Sequence, residues 1–290
     1  MSERTVVSSQ LLRDWPLPDV DDGAGKRARG TVVVIGGATD TPGAVLLAGI
    51  AALRVGAGRL TLATAATTAP SLAVAVPESA VSGLPTSADG ALGADAVAGC
   101  RALLGSASAV VIGPGMRDPE LTRSLVTGVL ADIGDDTVVV LDALALTCGA
   151  FDDAARARLG KQVVATPNLK EAEYLLDGDV PADDEAAARA VAERIGVTVT
   201  MQSVIATPDG RVWVDQSGDS GLGTSGSGDV LAGAIAGLAA RGATPEQSAV
   251  WGAHLHAEAG ERLSARVGRL GYLARELLEE LPQVLTQLER

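Results

Sequence analysis

TVVVIGGATDTPGAVLLAGIAALRVGAGRLTL, residues 31–62, reads as a strand, a helix and a second strand in one run. Thr31 to Ile35 is β-branched and stops at Gly36-Gly37, the pattern of a buried strand closed by a turn. Pro42 to Leu53 is rich in small apolar residues and carries proline in its first turn, which suits a helix start. Gly56-Ala57-Gly58 ends that helix, and Arg59 to Leu62 opens the next strand.

The alternation continues outward. Leu60 to Pro77 reads as a buried strand followed by a helix, and Leu84 to Gly93 as a loop. Ala109 to Ile112 ends in Gly113-Pro114-Gly115, with a helix predicted from Pro119 to Ala131. Thr137 to Leu141 ends at Asp142, and Gln162 to Ala165 ends at Thr166-Pro167. Asn168 caps a helix through Leu176, with Glu171 at the spacing of a capping box. A helix follows over 183–194, then short strands over 197–201, 204–205 and 211–214. Helices over 228–240, 245–265 and 272–288 complete the chain, the last with a break expected at Pro282. Strands alternating with helices predict an α/β fold with a mostly parallel central sheet and helices on both faces. Uninterrupted apolar strands such as TVVVI and TVVVL agree, since parallel strands are covered on both sides. No linker or repeat divides the chain, so one domain is expected over 1–290, with 1–29 as an N-terminal extension or leading helix. The acidic run Asp19-Val20-Asp21-Asp22 reads as a solvated turn.

Composition narrows the partners. The chain has 290 residues and a formal charge of −13, which speaks against nucleic acid, whose binding draws on neutralised phosphates. Aromatic residues are 2%, too few for base-stacking platforms. Cys100 and Cys148 fit neither a disulfide framework nor a metal spacing, which points to a reducing cytoplasm. The N-terminus lacks the order of an export signal. The uncharged stretch 60–77 is interrupted by Thr and Pro and falls short of a membrane span. Three lysines stand against 20 arginines, so few ammonium groups are free for chemistry.

In such folds ligands bind beyond the carboxyl ends of the strands. Those ends carry Gly36-Gly37, Gly113-Pro114-Gly115, Asp142 and Thr166-Pro167-Asn168. The most informative segment is GLGTSGSGDVLAG, Gly221 to Gly233. Glycines before an apolar helix let backbone N–H groups turn around an anion, and the helix N-terminus adds partial positive charge. Asp229 is then a candidate general base beside a phosphoryl group, or simply a helix cap. The segment is neither a Walker A loop nor a dinucleotide fingerprint. His254 and His256, two apart, point to different sides of a helix and read as packing or surface residues, not a metal pair. Trp213 and Trp251 read as packing.

GTSGSGDVLAG resembles the anion-hole motif of ribokinase-like enzymes. More narrowly, the chain from Gly30 to Leu281 resembles the ADP- or ATP-dependent NAD(P)H-hydrate dehydratases. The matching blocks are residues 32–64, VPESAV (76–81), VVIGPGM (110–116), VVLDALAL (139–146), TPNLKEAEYLL (166–176) and the Asp229 segment. The resemblance implies a ribokinase-like three-layer sandwich and a homo-oligomer, specifically a homotetramer. It implies dehydration of hydrated NADH or NADPH, with ADP or ATP and Mg²⁺ as cofactors and no metal bound by the protein itself. Asp229 would take the proton of the ring hydroxyl. Thr224, Ser225, Gly226, Ser227 and Gly228, with Gln202 and Ser203, would bind the nucleotide. Gly43, Ala44, Gly113, Gly115, Asp142 and Asn168 would face the hydrated dinucleotide. Three positions depart from the family: Leu144 stands for an aspartate, Asn168 for a histidine, and Met201-Gln202 for a lysine. These departures keep two other readings open, a nucleotide-binding relative with lost turnover and a small-molecule kinase of the superfamily.

Overall fold

A computed structural model describes residues 4–19, 25–218 and 220–289. Its strands are β1 (Arg4–Val6), β2 (Thr31–Ile35), β3 (Arg59–Ala65), β4 (Ser79–Leu84), β5 (Ala109–Ile112), β6 (Val138–Leu141), β7 (Val163–Ala165), β8 (Thr198–Met201), β9 (Val204–Ala206) and β10 (Val212–Val214). Its α-helices are α1 (Ser9–Asp14), α2 (Gly25–Ala28), α3 (Pro42–Arg54), α4 (Ala69–Ala75), α5 (Val97–Leu104), α6 (Pro119–Ala131) and α7 (Leu144–Thr147). They continue as α8 (Asp153–Leu159), α9 (Leu169–Leu175), α10 (Asp184–Ile195), α11 (Ser227–Ala240), α12 (Pro245–Arg266) and α13 (Ala274–Leu288). Apart from Asp19, the acidic run at 19–22 lies outside the described residues.

The strands form one sheet in the order β1-β10-β9-β8-β7-β6-β5-β2-β3-β4. From β4 to β8 every pairing is parallel; β9 and β10 fold back antiparallel, and β1 joins β10 in parallel. Alternate residues of each strand feed opposite layers. Val32, Val34 and Val111 pack into a core with α3, α11, α12 and α13. Val33, Ile35, Val110 and Ile112 pack into a second core with α5, α6 and the helices through α10. This is the expected parallel sheet covered on both faces.

Two expectations shift. The helix at 274–288 runs through Pro282 without a break. Leu277, Leu281, Val284, Leu285 and Leu288 form an apolar stripe buried against the core. That burial outweighs the ~3 kcal/mol cost of an internal proline. The segment at 84–93, read as a loop, closes with a lone bridge between Thr86 and Leu92.

The N-terminal segment is integrated into the fold. β1 extends the sheet and Leu12 is fully buried. The carbonyls of Trp15 and Pro16 accept hydrogen bonds from Gln247 and Trp251 on α12. Trp15 stacks on Trp213 with centroids 5.9 Å apart. Both tryptophans read as packing residues, Trp213 and Trp251, are buried.

Strand order reverses at β2, which lies between β5 and β3. Such a switch point opens a crevice at the carboxyl ends of the strands. Gly36-Gly37 and Gly113-Pro114-Gly115 flank it.

Candidate active site

The crevice floor is backbone laid on backbone. Gly37 N–H donates to the Pro114 carbonyl at 2.8 Å, and Ala38 N–H to the Gly115 carbonyl at 2.9 Å. A Cβ on Gly36 would lie 2.1 Å from the Pro114 oxygen, and one on Gly113 1.8 Å from the Asp142 oxygen. Gly113 also holds φ at 127°, which side chains rarely adopt. These glycines are therefore required by packing alone. Thr41 Oγ1 donates to the Gly115 carbonyl at 2.6 Å and ties this floor to the start of α3.

Two helix N-termini meet here. Helices α3 and α11 pack through glycine: a Cβ on Gly233 would sit 2.0 Å from the Ala48 oxygen, and one on Gly237 2.5 Å from that of Ala52. A Cβ on Gly226, beside the first turn of α11, would sit 2.6 Å from Leu47 of α3. Contacts that ascend along both helices, Gly233 to Ala48 and Gly237 to Ala52, mean that the helices run side by side in the same direction. Neither first turn has a side-chain cap. At the α3 end, Gly43 is exposed with open space around it and Ala44 is half-buried. Both positive ends therefore remain available to anionic groups.

At the α11 end, Gly226 takes φ +89° and turns the chain into the helix. Ser227 N–H donates to the Thr224 carbonyl at 3.2 Å, which withdraws it from the set of anion-binding donors read from the sequence. Val230 N–H donates to the Gly226 carbonyl at 3.2 Å, closing the first turn. Ser225 and Gly228 are exposed, and Thr224 and Gly226 are half-buried.

Asp229 stands in the first turn of α11 without capping it. The cap alternative thus falls away and leaves the carboxylate free for chemistry. Burial raises its pKa from 3.8 to about 7, with the charge of Asp142 adding to the shift. Asp142 is itself buried and its pKa is raised by desolvation, opposed by the Thr166 hydroxyl that donates to Oδ1 at 2.7 Å. Ala143 next to it holds φ +50°, ψ −130°, a strained geometry at the strand end. The pKa of Glu171 is raised by burial, with Asp142 again contributing. The charge of Asp142 therefore reaches both Asp229 and Glu171.

The departing positions have distinct fates. Asn168 Oδ1 accepts from the N–H groups of Lys170 and Glu171 at 2.9 and 3.0 Å, while Glu171 accepts from Asn168 N–H at 2.9 Å. The capping box read from the sequence is present, and it occupies the Asn168 oxygen. Leu144 is the first residue of α7 and half-buried. Met201 is buried, whereas Gln202 and Ser203 are exposed at φ +48° and +62° in the turn between β8 and β9. That turn reaches the next segment through the Ser203 carbonyl, which accepts from Asp215 N–H at 2.8 Å.

The histidines do more than the spacing indicated. Both are buried. His254 Nδ1 lies 2.9 Å from Asp215 Oδ2, and His256 Nε2 lies 2.8 Å from Ser227 Oγ. They do point to different sides of α12, and each side meets a different part of the nucleotide-facing loop. Asp142–Thr166, His254–Asp215 and His256–Ser227 were missed because their partners are 24, 39 and 29 residues apart. Only the buried setting of two polar rings in an otherwise small and apolar helix face hinted at them.

The layered sheet and the glycine loop before α11 define the class: an α/β protein of ribokinase-like fold. A ribokinase-like superfamily protein from Enterococcus faecalis superposes with a TM-score of 0.81, covering 99% of this chain and 97% of that one at 23% identity. The family model for NAD(P)H-hydrate dehydratase matches residues 32–283, and the chain belongs to that family. An ADP-dependent (S)-NAD(P)H-hydrate dehydratase from Xanthomonas campestris is 44% identical, covering 98% of this chain and 97% of that protein. The ADP/ATP-dependent NAD(P)H-hydrate dehydratase of Bacillus subtilis, co-crystallized with ATP/Mg²⁺, has a TM-score of 0.80 and 27% identity, covering 98% and 99%.

Proposed function

We propose that this chain restores NADH or NADPH from its 6-hydrated form, using ADP or ATP as phosphoryl donor. Family membership supplies the reaction. The observation that supports Asp229 as its base is a carboxyl group free of capping duty, beside glycine N–H groups, with a pKa of about 7. A base poised at the working pH is the one that transfers protons best.

The ring hydroxyl gives its proton to Asp229 as its oxygen bonds to the terminal phosphorus. The bond from that phosphorus to the nucleotide's bridging oxygen breaks, and charge on the phosphoryl oxygens falls to the N–H groups of Ser225, Gly226 and Gly228. A lost donor in such a hole typically raises the barrier by ~3 kcal/mol. The ring nitrogen's lone pair then expels phosphate from carbon 6. Loss of the carbon 5 proton to water restores the double bond. Gly43 and Ala44 at the α3 end, with Gly113, Gly115, Asp142 and Asn168, line the dinucleotide side. Thr224, Gln202 and Ser203 line the nucleotide side.

Mg²⁺ fits this arrangement as a companion of the nucleotide. Among the described residues no group of three or more His, Cys, Asp or Glu is arranged to hold a metal. Mg²⁺ commonly binds through one or two carboxylates plus substrate phosphates, and Asp142, whose charge reaches Asp229, would supply that donor type. When bound, the ion would neutralise phosphoryl charge.

The chain is read as one domain acting in the cytoplasm as a homo-oligomer. Among the described residues no helix is long and apolar enough to cross a membrane. The test is direct: purified protein, hydrated NADH, Mg²⁺ and ADP or ATP, followed by the return of reduced-nicotinamide absorbance. Nucleotide-dependent recovery is expected. Nucleotide binding without recovery would favour the non-catalytic relative.

A further inference from the structure

We infer that His256 is a positioning residue for the phosphoryl-binding turn, acting through the hydroxyl of Ser227. The inference rests on the assignment of the Gly226–Asp229 turn to phosphoryl transfer. That turn is held by two backbone hydrogen bonds, Ser227 to Thr224 and Val230 to Gly226, each local to the chain. The 2.8 Å contact from Ser227 Oγ to His256 Nε2 comes instead from a neighbouring helix. It fixes the first residue of α11 against α12, next to Gly226 with its φ of +89°.

The same helix grips the preceding segment. His254 holds Asp215, whose other carboxylate oxygen accepts from Ser217 N–H at 2.9 Å. Glu261 accepts from Gly218 N–H at 2.7 Å. Two side chains of α12, His254 and Glu261, thus set the height of the chain on its way to the turn, and His256 sets the turn itself. Small displacements matter here, because misplacing a reacting group by ~1 Å can cost on the order of a hundredfold in rate.

The pair is no nucleophile and base. Ser227 is only 4% exposed, so its hydroxyl cannot reach a substrate. Burial also lowers the His256 pKa to about 4, which keeps the ring neutral across the working range. A neutral ring that only holds a hydroxyl can be replaced by another group that bonds from the same place. The glutamine amide reaches the position of Nε2; leucine fills the volume and bonds nothing.

The experiment compares wild type, His256→Leu, His256→Gln and Ser227→Ala, with melting curves to establish folding. Two readouts are taken: turnover of hydrated NADH against pH, and Mg²⁺-ADP affinity by titration calorimetry. His256→Leu and Ser227→Ala should each lose about tenfold or more in kcat and weaken ADP binding, with the acid limb near pH 7 unmoved. His256→Gln should recover most of the loss. Should His256→Leu not fold, Ser227→Ala carries the test alone. ADP affinity and kcat like wild type in Ser227→Ala would overturn the inference. So would His256→Gln as impaired as the leucine variant, which would mean that the ring's proton chemistry matters. Wild type that binds ADP without turnover would defeat the functional reading, while the ADP affinities would still decide the role of His256. Wild type that binds no ADP would defeat both.

Discussion

At Asp229, the feature that suits catalysis works against stability. Unfolded, the carboxyl titrates near 3.8; folded, near 7. Between those values the unfolded chain is ionised while the folded one stays protonated, so this group's contribution to stability falls as pH rises. The cost is complete above about pH 7 and absent below about pH 4. Asp229→Asn should therefore raise stability at pH 8 by on the order of 2 kcal/mol, seen as a higher melting temperature, and leave it unchanged at pH 4. Turnover should fall a hundredfold or more, since an amide cannot accept the proton. Wild-type kcat should itself decline about tenfold per unit below pH 7. An Asn variant that melts lower at pH 8, or that keeps most of its rate, would remove Asp229 from this role. Asn168 carries the opposite lesson. The family's histidine suggests a substrate contact, but the oxygen here serves the capping box. Restoring the ring with Asn168→His should cost about 1 kcal/mol, whereas Asn168→Asp should cost little. Equal melting of the two variants would show that the cap contributes nothing.

Among the elements, α3 and α11 decide where the two positive helix ends point. Their closest approach is backbone to backbone at Gly233 and Ala48, with no room for a methyl group. Gly233→Ala must push the helices apart, at a cost of at least about 2 kcal/mol, and should lower turnover by re-aiming both N-termini. Gly228→Ala places its methyl in open space and should change stability by less than about 1 kcal/mol. Comparable destabilisation by the two substitutions would mean that the close approach is not what fixes α11. These elements were legible for a simple reason: local pattern sets them. The β-branched run at 31–35, the proline at 42 and the glycines at 226 and 228 are all sequence-adjacent signals. Pro282 misled because a local breaking tendency was overridden by the buried stripe of α13, a tertiary effect. The short strand at 4–6 was invisible, since three residues with an alternating exposed pattern acquire their identity only by pairing with Val212 to Val214.

Across the whole molecule, α12 links the N-terminal segment to the site. From its middle onward it holds Asp215, Gly218 and Ser227 at the nucleotide loop. Its first two turns offer Gln247 and Trp251 to the carbonyls of Trp15 and Pro16. Sequence could not show this bridge, because its ends lie more than 230 residues apart and are joined through backbone oxygens that any residue possesses. Residues 1–29 therefore read as an N-terminal extension or leading helix, although Leu12 is buried in the core and Trp15 and Pro16 bond to α12. Removing residues 1–18 would exchange for water the partners of two side-chain donors on α12, at about 0.5–1.5 kcal/mol each. It would also expose the surface under Leu12, at about 1.5–3 kcal/mol. The sum approaches the lower end of the stability of an ordinary protein, about 5–15 kcal/mol. The truncated chain should be largely unfolded at 37 °C. Trp15→Ala differs in kind: the ring and its stack on Trp213 are lost, but the carbonyl that binds Gln247 and Trp251 stays. That variant should fold, melt several degrees lower and still bind Mg²⁺-ADP. Melting curves and ADP titration on the two variants separate the contributions. A truncated chain that melts with wild type would show that α12 keeps its place, and the nucleotide loop its shape, without the N-terminal segment.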